Sequence, residues 1–199
     1  MQLFDLNKSS DTVPELEIEA GANVNHFSFD KNRQRVIFGM DNPEVRIADI
    51  RSGEICHSLI GHSGNTFATD WHSDENYVAT GNEDCSTLIW DLRTEKPVYK
   101  LCGTNGRVGS IRYIRNSKLL VVGDYTNTLR VYDTRSYGGY SEVKFKGRLQ
   151  GFDSTEDGKC LFAGVDDSSN RRDIPGGVLE LETSLNGFQE SETTGNEFF

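Results

Sequence analysis

Ile89-Trp90-Asp91 joins an aliphatic, an aromatic and an acidic residue, and the chain repeats this triplet as Leu3-Phe4-Asp5, Ile47-Ala48-Asp49, with Ala in the aromatic place, and Val131-Tyr132-Asp133, at steps of 44, 42 and 42 residues. A unit of that length ending in an aliphatic-aromatic-Asp strand is the signature of one four-stranded blade of a β-propeller, and a lone blade cannot bury both faces of its sheet. The reading is therefore all-β, and function is to be sought on a repeat scaffold.

Working outward from the triplets, each copy resolves into four short strands separated by polar turns. The first is read over Val24 to Phe29, Arg35 to Phe38, Val45 to Asp49 and Ile55 to Leu59; the second over Thr66 to Trp71, Asn76 to Thr80, Thr87 to Asp91 and Val98 to Leu101. The third follows over Val108 to Tyr113, Lys118 to Val122, Thr128 to Asp133 and Ser141 to Phe145. A fourth is legible in Leu149 to Phe152, Cys160 to Ala163 and Val178 to Leu181, interrupted by a Ser-, Asn-, Arg-, Pro- and Gly-rich stretch, Ser168 to Gly177. Such an insertion lengthens a surface loop at small entropic cost. Ahead of the first copy stand only Leu3-Phe4-Asp5 and a strand at Leu16 to Ile18, so the chain is expected to open in the third strand of a blade whose first two are missing. The expected domain covers 1–182, with a partial blade over 1–20 and repeats over 21–60, 61–102, 103–146 and 147–182; 183–199 is expected to be a flexible polar tail.

The second copy carries the fullest motif: Gly61-His62, then Val78-Ala79-Thr80-Gly81, then Asp84, then Ile89-Trp90-Asp91-Leu92-Arg93. In these residues the chain resembles the WD40 repeat family, over most of residues 1–182. The resemblance implies a WD40-type β-propeller with about four recognisable blades, part of a propeller of about seven, and a hydrogen-bonded tetrad of His62, Thr80, Asp84 and Trp90. A buried Asp needs donors for both oxygens, and an imidazole, a hydroxyl and an indole N–H can each supply one. The stretch Gly64 to Arg93, with Gly177-Val178-Leu179-Glu180-Leu181, is further similar to the C-terminal half of a group of WD-repeat proteins of plants and fungi. The other copies depart from the tetrad, with Asn42 and Thr126 at the position of Asp84 and Ala48 and Tyr132 at that of Trp90; Asp167 restores only the acid in the fourth. His62, Thr80 and Asp84 are also the components of a hydrolase triad. Against that reading, Thr80 has a β-branched hydroxyl inside an apolar strand, and a triad leaves Trp90 without a role.

In this family partners are held on the loops before the first strand and between the second and third. That implies a protein- or peptide-binding face of Asn23, Asn25, Asn65, Phe67, Glu83, Arg107, Tyr125, Arg148, Gln150 and Asp166; Arg, Tyr and Phe are the types that carry binding energy at interfaces. On the opposite side, Asp49-Ile50-Arg51, Asp91-Leu92-Arg93 and Asp133-Thr134-Arg135 resemble the box by which WD-repeat substrate receptors of cullin-4 ubiquitin ligases meet the ligase adaptor. Arg51, Asp91, Arg93, Asp133 and Arg135 are the residues that resemblance singles out. An Asp before a tight turn followed by Arg also makes a local ion pair.

Charge and composition narrow the partners. With 31 acidic against 21 basic side chains the net charge is -10, which repels nucleic acid, and the basic clusters Arg112 to Lys118 and Arg171-Arg172 are short. The cysteines Cys56, Cys85, Cys102 and Cys160 show no metal-ligand spacing and read as reduced, packed thiols. No cofactor or metal is expected, no apolar run suits a bilayer, and Met1 is followed by no basic-then-apolar leader, so an intracellular protein, in cytoplasm or nucleus and without membrane contact, is expected. A non-catalytic scaffold within a larger complex is the leading functional expectation, a ubiquitin-ligase receptor the alternative. About four blades leave an open arc with exposed edges. A longer chain, a second copy or partner, and closure as a small propeller each answer that.

Overall fold

The computed structural model of the chain describes residues 2–3, 16–101, 103–114, 117–155, 160–166, 177–182 and 189–190, among which there is no helix. A two-stranded pair, β1 (Gln2–Leu3) and β2 (Leu16–Glu17), is followed by four antiparallel four-stranded sheets. The first holds β3 (Val24–Phe29), β4 (Arg35–Met40), β5 (Glu44–Asp49) and β6 (Ile55–Ile60); the second holds β7 (Thr66–Trp71), β8 (Tyr77–Asn82), β9 (Thr87–Asp91) and β10 (Lys96–Leu101). The third holds β11 (Val108–Ile114), β12 (Leu119–Asp124), β13 (Thr128–Asp133) and β14 (Tyr140–Lys144), and the fourth β15 (Arg148–Ser154), β16 (Cys160–Asp166), β17 (Gly177–Glu182) and β18 (Gln189–Glu190). Strands pair in chain order in every sheet, so each is a meander, or blade. Two expectations shift. The sheet runs past 182, because Gln189 and Glu190, read from their polarity as tail, pair with Glu182 and Leu181 as a short strand at the edge of the fourth sheet. Cys56 is exposed rather than packed, while Cys85 and Cys160 are half-buried free thiols. Asp167, Arg171-Arg172 and the inserted stretch up to residue 176 lie outside the described residues, as does Cys102.

The core is four separate layers, each shared by consecutive sheets. Ile18 and Ala20 cover Val36, Phe38, Met40 and Ala48 of the first blade. Ile37, Val45, Ile47 and Leu59 on its other face meet Trp71, Val78, Leu88, Trp90 and Leu92 of the second. Ala79 and Ile89 point the opposite way, into a layer with Val108, Ile111, Leu120, Val122 and Tyr132 of the third blade, whose Ile114, Leu119, Val121 and Leu129 meet Leu161 and Ala163 of the fourth. Neighbours in one strand thus bury into different layers, which is why β8, β9, β12 and β13 are buried almost throughout rather than on alternate residues.

Innermost strands of adjacent blades are tied by polar links one repeat apart. Trp71 Nε1 donates to the Ser28 carbonyl (3.1 Å), the Tyr113 N–H to Asp70 (2.7 Å), and Arg112 to Asp153, while His26 Nδ1 accepts from the Thr69 N–H (3.3 Å). Each innermost strand also carries a β-bulge near its start, at Asn25, Phe67, Gly109 and Gln150. A bulge re-aims the extra side chain out of the pleat, so these four positions project at the same end of successive blades.

Candidate functional site

The structure brings His62, Thr80, Asp84 and Trp90 together as a relay. The Trp90 indole N–H donates to Thr80 Oγ1 (2.7 Å), Thr80 Oγ1 lies 2.7 Å from His62 Nε2, and His62 Nδ1 lies 3.1 Å from Asp84 Oδ2. Since the indole can only donate, and the carboxylate only accept, the Thr80 hydroxyl gives its proton to Nε2 and Nδ1 carries the imidazole proton. Burial holds the His62 pKa below its ordinary value, which keeps that neutral tautomer. Only the imidazole reaches Asp84, which corrects the expectation that hydroxyl and indole also would. The remaining donors are the Ser63 N–H (3.0 Å) and hydroxyl (3.4 Å), the Ser86 N–H (3.0 Å) and the Ser86 hydroxyl (2.5 Å). Gly61 belongs to this arrangement: a Cβ there would stand 2.9 Å from the Trp90 ring. Geometrically Thr80, His62 and Asp84 are in the order of a nucleophilic triad, but Thr80 and Trp90 are fully buried and the indole occupies the hydroxyl oxygen.

In the third blade the corresponding space holds a different device, which the sequence did not single out. Arg130, at the position of Leu88, is buried and paired with Asp124, at the position of Asn82. The Thr126 N–H and hydroxyl bond the other Asp124 oxygen, and the guanidinium lies 5.7 Å from the Tyr140 ring centroid. Arg130 Nε is buried without a hydrogen-bond partner among the described residues, 3.3 Å from Glu142.

The rim residues separate into groups. Asn23 and Asn25 donate to the carboxylate of Asp41 (3.2 and 2.8 Å), an acid the sequence reading passed over. The Asn65 carbonyl accepts the Glu83 N–H (2.8 Å), while Arg148, Gln150 and Asp166 are exposed on the fourth blade, the outer two paired across β15 and β16. Phe67, Glu83, Arg107 and Tyr125 form one cluster across the second and third blades. The Arg107 guanidinium carbon lies 4.6 Å from the Phe67 ring centroid and 4.1 Å from that of Tyr125, and Nη1 is 3.8 Å from Glu83 Oε1. Tyr125 is 49% exposed. What lets it lie there is Gly109: a Cβ at this bulge would stand 2.6 Å from the Tyr125 ring.

At the opposite side, the triplet Asp of each of the three described copies is a turn former. Asp49, Asp91 and Asp133 accept the N–H groups of Arg51 (2.8 Å), Arg93 (3.0 Å) and Arg135 (2.9 Å). Arg93 and Arg135 also fold back onto their own Asp in two-point pairs, and Arg93 reaches the Tyr77 hydroxyl (2.9 Å). Those arginines hold both carboxyls below the usual range, that of Asp133 at about 2. Among the described residues no group of His, Cys, Asp and Glu is arranged to hold a metal ion, and no helix is long and apolar enough to cross a membrane.

Stacked four-stranded meanders sharing their cores, with one hydrogen-bonded relay inside a blade, define the blades of a β-propeller. The family model for the WD domain, G-beta repeat, matches residues 53–91 and 95–133, so these two segments of the chain are WD40 repeats. Each matched segment takes the outer strand of one blade with the first three of the next. The chain is 26% identical over 124 residues to a ribosome biogenesis protein WDR12 homolog of Drosophila persimilis, covering 60% of this chain and 29% of that protein. It is 33% identical over 72 residues to the U3 snoRNP-associated protein-like EMB2271 of Arabidopsis thaliana, covering 36% and 15%. To the target of rapamycin complex subunit LST8 of Rattus norvegicus it is 30% identical over 96 residues, covering 46% and 29%. The chain spans less than a third of the length of these curated relatives.

Proposed function

We propose that the chain is part of a non-catalytic propeller scaffold, which holds a protein or peptide within a larger intracellular complex at the rim where the blade bulges project. The observation that carries this reading is the Phe67–Arg107–Tyr125 stack, two aromatics and an arginine gathered at one end of adjacent blades and bridging them. Relatives named as a subunit of the target of rapamycin complex and for ribosome biogenesis support work in an assembly. A hydrolase reading of His62, Thr80 and Asp84 has no accessible nucleophile in its favour. The test is affinity purification of the native protein, wild type against Phe67→Ala/Tyr125→Ala, with melting temperatures matched. Partners lost from the variant support the reading; an identical partner set removes the rim from it.

A second reading, ligase-adaptor binding through Arg51, Asp91, Arg93, Asp133 and Arg135, draws on the exposure of Arg93 and Arg135, whose side chains are 61% and 56% accessible despite their local pairing. Arg93→Ala/Arg135→Ala should then abolish copurification with the adaptor, and retained binding would end it. The open arc is answered, in this proposal, by further blades of a longer chain making up a propeller of about seven. A native size well above 22.3 kDa, measured in extracts with an antibody to residues 183–199, is its test.

A further inference from the structure

We infer that the rim cluster is a preformed seat for one carboxylate side chain of a partner peptide, an assignment that rests on the scaffold reading above and adds the chemistry of its ligand. The Arg107 guanidinium carbon lies over two rings, 4.6 and 4.1 Å from their centroids, which leaves its N–H groups as the donors for a ligand. Among the described residues those N–H groups meet only Glu83, with Nη1 at 3.8 Å, a separation too long for a hydrogen bond. The group is therefore held by its two ring contacts and keeps free donors, and a guanidinium with free donors recognises a carboxylate by two parallel bonds. The ordering cost of a long arginine side chain is met before the ligand arrives.

Three features fix the class of anion. Glu83 beside the edge and Asp41 on the same rim disfavour a phosphate dianion, which calls for more than one cation. The net charge of -10 removes any long-range attraction for a run of acids, so the selectivity falls on a single acidic residue held at contact distance. Tyr125, 49% exposed beside the guanidinium, offers a ring against which the flanking apolar part of such a peptide packs. Gly109 is the enabling residue, since any side chain there displaces the Tyr125 ring.

The experiment selects a random displayed peptide library on the 199-residue chain and measures synthetic winners by fluorescence anisotropy. Selected peptides should share one Asp or Glu, and its exchange for Asn or Gln should weaken binding about tenfold or more on the wild type, the range of a charge-assisted bond. The same exchange should matter little on Arg107→Gln. Glu83→Gln, which removes the competing carboxylate, should tighten binding, and Gly109→Ala should weaken it with the fold retained by circular dichroism. Peptides that need Phe67 and Tyr125 but ignore the acid overturn the carboxylate seat and leave the scaffold reading standing. Tighter binding when phosphoserine replaces the acid overturns it in favour of a phosphate ligand. No binder at all, or binders indifferent to every rim substitution, overturns both.

Discussion

Thr80 is the hinge of the relay in the second blade, because its hydroxyl oxygen serves an indole donor and an imidazole acceptor at once, both 2.7 Å away. Thr80→Val keeps the volume and leaves two buried groups unpaired, which should cost about 2–4 kcal/mol. Asp84→Ala should cost less, about 1–2 kcal/mol, because the Asp84 side chain is 16% exposed and water can reach the donors it leaves. Thermal melts of the two variants check the order. The relay also sets the response to pH. The folded His62 pKa lies below its ordinary value, burial being the largest cause, and so does that of His26, by burial and then by Arg112. The unfolded chain therefore binds more protons, so their contribution is complete above the unfolded value of about 6.5 and is lost as pH falls below it. Asp91 and Asp133, with lowered pKa values, add a second loss below about pH 4. Melting temperature against pH should thus fall in two stages, and His62→Gln should flatten the upper one. The relay was legible because the second blade carries its whole motif. Ser63 and Ser86 were not, since hydroxyl residues beside a turn give no sign of which acid they will bond. Arg130 was missed because an arginine in a strand reads as a solvent position, and nothing in the spacing says that the outermost strand covers it.

Within each sheet the innermost and third strands matched the sequence reading closely, Thr66–Trp71 and Thr87–Asp91 to the residue, while second strands run further than Gly39, Gly81 and Gly123 suggested. Those glycines look like turn signals but mark close approach by the next blade. A Cβ on Gly81 would stand 2.3 Å from Val108, and one on Gly39 would stand 3.0 Å from the Thr66 carbonyl. Gly81→Ala should accordingly cost about 1–3 kcal/mol by overpacking between the second and third blades, read by chemical denaturation. The polar devices are also properties of a sheet. Arg130→Leu alone leaves Asp124 buried and unpaired and should cost about 3–5 kcal/mol. Arg130→Leu/Asp124→Asn installs the residues the second blade uses at the same positions, Leu88 and Asn82, and should recover most of the loss. A double variant as unstable as the single one would show that the ion pair does more than satisfy itself.

At the scale of the whole molecule, the cores among the described residues lie between successive blades, with the segment after β2 covering the first, so stability is approximately a sum of nearest-neighbour layers. The period of the triplets made the blade count legible, but the location of the uncovered surface depends on which side of the pleat each residue takes. Phe27 and Phe29 pair with Phe38 and Val36 and so share their face. Yet Phe38 and Val36 are sealed by Ile18 and Ala20, whereas Phe27 and Phe29 are 49% and 39% exposed and in edge-to-face contact, 5.7 Å between centroids. The covered part lies under the segment that follows β2, and the bare part carries the two phenylalanines. Two adjacent exposed phenylalanines on an innermost strand form an adhesive patch in water. The 199-residue chain alone should therefore self-associate with rising concentration in light scattering. Phe27→Ser/Phe29→Ser should suppress that association while shifting the melting temperature little, because neither ring is buried. Unchanged association in the double variant would move the sticky surface elsewhere, whereas a large drop in melting temperature would mean that the two rings are already covered within the chain.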